Sequence, residues 1–210
     1  MYLPDLFHEQ HFETIAALID AHPLGALTRI VNGVIVADHI PFLFDAEANV
    51  LRAHVARANP LWRDFDPASE ALAIFTGLDH YVTPSWYATK RETGKVVPTW
   101  NYEAVHVYGR LRAIEDANWI RALLRDLTAR HESARPAPWA LEDAPDAFID
   151  AIMTGIVGIE LSITRIEAKR KLSQNRNAAD RAGVIAGLEA EGGESAGRMA
   201  KALAALDRKA

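Results

Sequence analysis

The spacing of apolar residues changes at Pro23. Before it, Phe12, Ile15, Leu18 and Ile19 recur at helical intervals, which predicts a helix over 8–21 that ends at His22-Pro23. After it the pattern turns strand-like. Residues 24–31 form one candidate strand, Asn32-Gly33 is a strong hairpin signal, and 34–44 returns. A second turn over 45–49 leads to a strand at 50–56, which Asn59-Pro60 breaks. Residues 71–76 read as a buried strand, 80–83 as the start of another, and 91–95 as a polar loop around Gly94. The long strand 102–114 places Val105, Val107, Gly109, Leu111 and Ala113 on one face.

The second half mixes helices with one strand. Residues 119–130 are amphipathic helix, 135–139 a loop with two prolines, and 145–153 a short helix with Pro145 near its start. Val157, Ile159, Leu161 and Ile163 alternate in a final strand over 156–166. A helix over 177–191 closes at Gly192-Gly193, and an Ala-rich helix follows over 195–208. There is no internal repeat. Closely spaced strands, with one helix before them and several after, predict a mainly β, α+β fold: an antiparallel barrel with peripheral helices. A parallel α/β sheet would need a regular strand–helix alternation that this chain lacks.

Composition narrows the chemistry. Half of the 210 residues are hydrophobic, enough for a real core. The chain has no cysteine, which removes disulfides, thiolate nucleophiles and cysteine-based metal sites and fits a reducing cytosol. The first ten residues lack the order of a signal peptide, and no apolar run reaches the roughly 18 residues of a membrane span. The net charge of −5 means that any contact with DNA would need a local basic patch.

Three strings carry the candidate chemistry. His54, Arg57 and Asn59 lie at a strand end; the first two can donate to an anion and Asn59 can shape the turn, or the string is a solvated strand end. Tyr81, Trp86, Tyr87, Trp100 and Tyr102 can stack on a planar ligand or fill a barrel core. Thr83, Ser85, Thr99 and Asn101, interleaved with them, can bond a heterocycle's polar edge. Lys171, Gln174, Asn175 and Arg176 can hold a phosphate or a ring carbonyl, while Ser173 or Asn175 can cap the following helix. His80 and His106 sit on strands and suit core, acid–base or haem-ligand roles. No dedicated metal motif, nucleophile elbow or phosphate-binding glycine loop occurs, so no catalytic residue and no metal ligand is assigned. Arg198, Lys201, Arg208 and Lys209 give the two terminal helices a faint helix-turn-helix look, which Glu189, Glu191, Glu194 and Asp207 offset.

At these strings the chain resembles the PaiB family of FMN-binding negative transcriptional regulators of protease synthesis and sporulation. The matching segments are HVARANP at 54–60, HYVTPSWY at 80–87, VPTWNYEAVHVYG at 97–109, LTARHE at 127–132 and KLSQNR at 171–176. The resemblance runs from residue 1 to about 188 and implies a split β-barrel of the FMN-binding, pyridoxamine-phosphate-oxidase-like type. It implies a domain over 1–176 with a helical insertion at about 116–153, and a C-terminal helical extension over 177–210. It further implies a cytoplasmic homodimer with FMN at the subunit interface. His54, Arg57 and Asn59 would then lie near the flavin phosphate, and Thr83, Ser85, Trp86, Trp100 and Asn101 near the ring. The Arg…Ser-x-Lys phosphate signature of the oxidase branch is absent. The resemblance makes a regulator, acting on DNA directly or through a partner, the first expectation. A flavin-dependent reductase or a haem-binding protein with His54, His80 or His106 as ligand are the alternatives.

Overall fold

The computed structural model describes residues 1–207; Arg208 and Lys209, counted above with the last helix, lie outside the described residues. Eight strands form one antiparallel sheet in the order β3 (Val34–Pro41), β2 (Leu24–Val31), β6 (Glu70–Val82), β7 (Thr99–Ile114), β8 (Ile156–Lys171), β5 (Val50–Ala56) and β4 (Leu43–Asp45). The short β1 (His8–Glu9) pairs with the end of β8. The expected barrel is not closed: β3 and β4 are free edges of this order. The helices are α1 (Phe12–Ala21), α2 (Ala88–Thr93), α3 (Ala117–Glu132), α4 (Asp146–Met153), α5 (Ala178–Glu191) and α6 (Glu194–Asp207). Among the described residues no helix is long and apolar enough to cross a membrane.

Local chemistry explains most boundaries. Asn32 and Gly33 take φ of 51° and 80°, the pair of positive values that a two-residue hairpin needs, and β2 pairs β3 in register from Val31↔Val34 outward. Asn59 caps the 3-10 turn that ends the β5 segment, accepting from the Leu61 amide at 2.8 Å. Four expectations are corrected. Residues 8–11 precede α1 instead of joining it. Residues 70–82 are one strand, because pairing overrides the turn character of Gly77 and Asp79. Residues 91–95 belong partly to α2, which Gly94 closes in the left-handed region. The last strand runs on to Lys171.

The chain divides into two compact units: 1–15, 76–105 and 167–207 form the first, and 16–75 with 106–166 the second. Strands β6, β7 and β8 contribute residues to both. In the first unit Val82, Tyr87 and Leu172 pack with Val184 and Leu188 of α5 and Met199, Ala200 and Leu203 of α6. The terminal helices therefore complete the core of this unit. Each buried Leu or Val adds roughly 1.5–3 kcal/mol over its exposed state. In the second unit Leu27, Leu51, Val107, Val157, Ile159 and Leu161 are buried strand residues, and Phe42 meets Phe75 edge-on at 5.7 Å.

Candidate functional site

In the first unit β7 and β8 bring two of the strings together. The Lys171 ammonium donates to the Thr99 hydroxyl and, at 2.8 Å, to the Trp100 carbonyl. Lys169 donates to the Tyr2 carbonyl at 3.0 Å and lies 5.3 Å from the Tyr102 ring centre. The Arg176 guanidinium sits 4.5 Å from the centre of the Tyr87 ring. None of these three cations has a carboxylate partner among the described residues. Burial holds the Lys171 pKa below the usual lysine value; the Tyr102 phenol opposes this, and Lys169 and Arg176 add to it. Trp100, 53% exposed, meets the edge of Tyr81, 44% exposed, at 6.0 Å. Uncompensated cations beside exposed aromatic surface suit an anionic ligand with a planar body.

The neighbouring residues build this arrangement rather than extend it. Asn101 is fully buried and exchanges hydrogen bonds with Ser173, its amide donating at 3.0 Å and its carbonyl accepting at 3.2 Å. Ser173 takes φ of 62°, a left-handed conformation that costs a non-glycine residue energy, and this bond fixes it. Gln174 folds back, accepting from the Leu172 amide and donating to the Arg170 carbonyl, both at 2.6 Å. Asn175 is exposed and forms no side-chain bond among the described residues. The cap of α5 is neither Ser173 nor Asn175 but Asn177, which accepts from the Asp180 amide at 2.8 Å. Asp180, buried, holds the Thr89 amide and hydroxyl at 2.9 Å each.

Thr83 accepts from the Ser85 amide at 3.3 Å, and the Ser85 hydroxyl accepts from Lys90 at 3.0 Å. Trp86 packs on the backbone of Gly183 and Gly187 in α5. His80 donates through Nδ1 to the Tyr81 carbonyl at 2.7 Å, and its Nε2 lies 3.3 Å from Glu191. Sequence reasoning passed over Lys169; its alternation with Lys171 on β8 was the available signal.

The string 54–60 lies in the second unit. Arg57 is taken up locally: Nε donates to the Thr154 carbonyl at 2.8 Å, one terminal nitrogen to Glu115 at 2.5 Å and the other to the Ile156 carbonyl at 3.2 Å. Asn59 donates to Asp38 at 3.2 Å besides capping its turn. Half-buried His54 makes no hydrogen bond among the described residues, and burial lowers its pKa below the usual histidine value. His106 lies against the Tyr108 ring at 6.4 Å.

An open antiparallel sheet flanked by helices is the fold of the flavin-binding split-barrel proteins. The "FAD and Heme binding protein" of Mycobacterium smegmatis superposes with a TM-score of 0.62 at 19% identity, covering 89% of this chain and 80% of that one. The family described as "Putative FMN-binding domain" matches residues 1–165, and the chain belongs to that family. The "Protease synthase and sporulation protein PAI 2" of Bacillus subtilis is 31% identical over 96% of this chain and 95% of its own. An uncharacterized Aspergillus fumigatus protein is 34% identical, also over 96% and 95%.

Proposed function

We propose that this chain binds FMN on the first unit, with Lys171 and Arg176 holding the phosphate and Trp100 facing the ring. The observation that carries this reading is the group Lys169, Lys171 and Arg176, which has no carboxylate partner among the described residues and lies with exposed aromatic surface in the same unit. Burial is the main cause that depresses the Lys171 pKa, with Lys169 and Arg176 adding to it, and a phosphate there would stabilise the charged ammonium against both. Asn101, Ser173 and Gln174 hold the turn in shape, Thr83 and Ser85 order the facing loop, and Asn175 is free to reach a ring carbonyl. Bound FMN supplies one- or two-electron transfer; the side chains bind and orient it.

Titration with FMN and riboflavin tests the site. Saturable FMN binding is expected, and Lys171→Ala weakens FMN by roughly tenfold to a hundredfold. Riboflavin, which has no phosphate, loses far less. Equal loss for both ligands, or no FMN binding by the native chain, overturns the reading.

We further propose a regulatory role in a cytoplasmic homodimer, supported by the PAI 2 relative and by Trp100 and Tyr81, which leave aromatic surface for a second subunit to cover. The net charge of −5 favours repression through a partner over direct contact with DNA. Sedimentation with and without FMN tests the dimer. FMN-dependent consumption of NAD(P)H would make the protein a reductase instead.

A further inference from the structure

In the second unit a cavity of about 340 Å³ opens between β5 and α3. Its volume is at the lower end of the range of small-molecule sites, roughly 300–1,000 Å³. One stripe of α3, formed by Leu124, Leu127, Thr128 and His131 at helical spacing, makes one wall. His54 projects from β5 into the lining, and Trp139, 44% exposed, closes one side. The Glu132 carboxylate at the rim is occupied by Arg135 at 2.9 Å and the Trp139 amide at 3.3 Å, so it positions the indole.

Thr128 and His131 are the other polar side chains of the lining besides Glu132, and His54 is the one with a buried, unpaired ring nitrogen. Its Nδ1 is buried without a partner among the described residues. Nε2 also has no partner among the described residues, but it is not enclosed. An imidazole in mainly apolar surroundings is best served by a ligand that both donates and accepts, because either tautomer then finds its complement. A phenolic hydroxyl does both, and its ring suits the leucines and the indole.

We propose that the cavity between β5 and α3 is a binding site for a small one- or two-ring phenol, held by a hydrogen bond to His54 Nε2 and by packing against Trp139. This site stands apart from the flavin reading and does not depend on it. Flavin bound on the first unit, its absence and the choice of regulator or reductase all leave it unchanged, whereas FMN that displaces naphthol would put the flavin at His54 and overturn the proposal.

The probe is 1-naphthol, titrated into the full chain at pH 7.5 by calorimetry, with naphthalene as the hydroxyl-free control. Naphthol is expected to bind saturably and about fivefold or more tighter than naphthalene, the worth of one neutral hydrogen bond. His54→Phe abolishes this preference, and Trp139→Ala weakens both ligands alike. The comparison of the two ligands on the native chain needs no variant, so a folding defect in His54→Phe does not blunt the test. Equal affinity for both ligands, a preference that survives in His54→Phe, or no saturable binding overturns the proposal. Hemin binding with a Soret band that excludes naphthol also overturns it, by assigning the cavity to a porphyrin.

Discussion

The carbonyl oxygen of Trp86 stands where a side chain on Gly183 would begin: a Cβ at that glycine lies 2.1 Å from it. One turn further along α5, a Cβ on Gly187 would lie 2.3 Å from the Trp86 ring. Two glycines inside a helix usually cost stability, roughly 1 kcal/mol each against alanine. Here they let the 84–87 turn dock on α5, and Tyr87 enters the core behind it.

Gly183→Ala is therefore expected to destabilise the protein, against the usual sign for a helix interior. Overpacking costs roughly 1–3 kcal/mol when side chains give way. Backbone oxygen yields less readily, so the cost exceeds the alanine gain of ~1 kcal/mol. Urea unfolding should show a lower midpoint at an unchanged slope. A midpoint at or above that of the native chain would remove the docking argument.

Arg57→Ala should act on stability rather than on flavin. The guanidinium bonds two carbonyls and the Glu115 carboxylate, and its loss leaves the Thr154 and Ile156 oxygens unpaired. The expected cost is ~1–2 kcal/mol, held down by the partial exposure of the pair. FMN affinity, measured well below the melting temperature, should stay unchanged. A selective loss of FMN with normal stability would instead place Arg57 at the phosphate.

Trp100→Ala tests the ring assignment by spectroscopy. Flavin fluorescence is quenched by a stacked indole, so the variant should bind FMN that is brighter than in the native complex. Trp86 lies against α5, and its ring meets backbone at Gly187. If Trp100→Ala leaves the emission of bound FMN unaltered, the ring lies elsewhere.

The strand at 50–56, the 32–33 turn and the alternating burial of β7 were legible because local pattern and burial agree there. The continuity of β6 was not, since Gly77 and Asp79 carry turn character that only their sheet neighbours overrule. Sheet closure was beyond reach for the same reason: it depends on which distant strands pair. The candidate site divides along the same line. The cations at 171 and 176 could be read directly, but Arg57 finds Glu115 58 residues away, and no local spacing reveals that partner. Gln174 looked like a ligand group, yet its amide completes the turn it stands in.

His54 makes stability depend on pH with a definite sign. Burial lowers its pKa in the folded state below the unfolded value of about 6.5. Between those two pKa values the unfolded chain binds more protons, so stability rises with pH across that window. The contribution is complete above about pH 6.5 and is lost as the pH falls toward the folded pKa. His54→Phe should flatten the dependence of the unfolding midpoint between pH 5 and 7 while the native chain keeps its slope. Parallel pH profiles for the native chain and His54→Phe would mean that the ring titrates as it does in the unfolded chain, and the burial argument would fail with it.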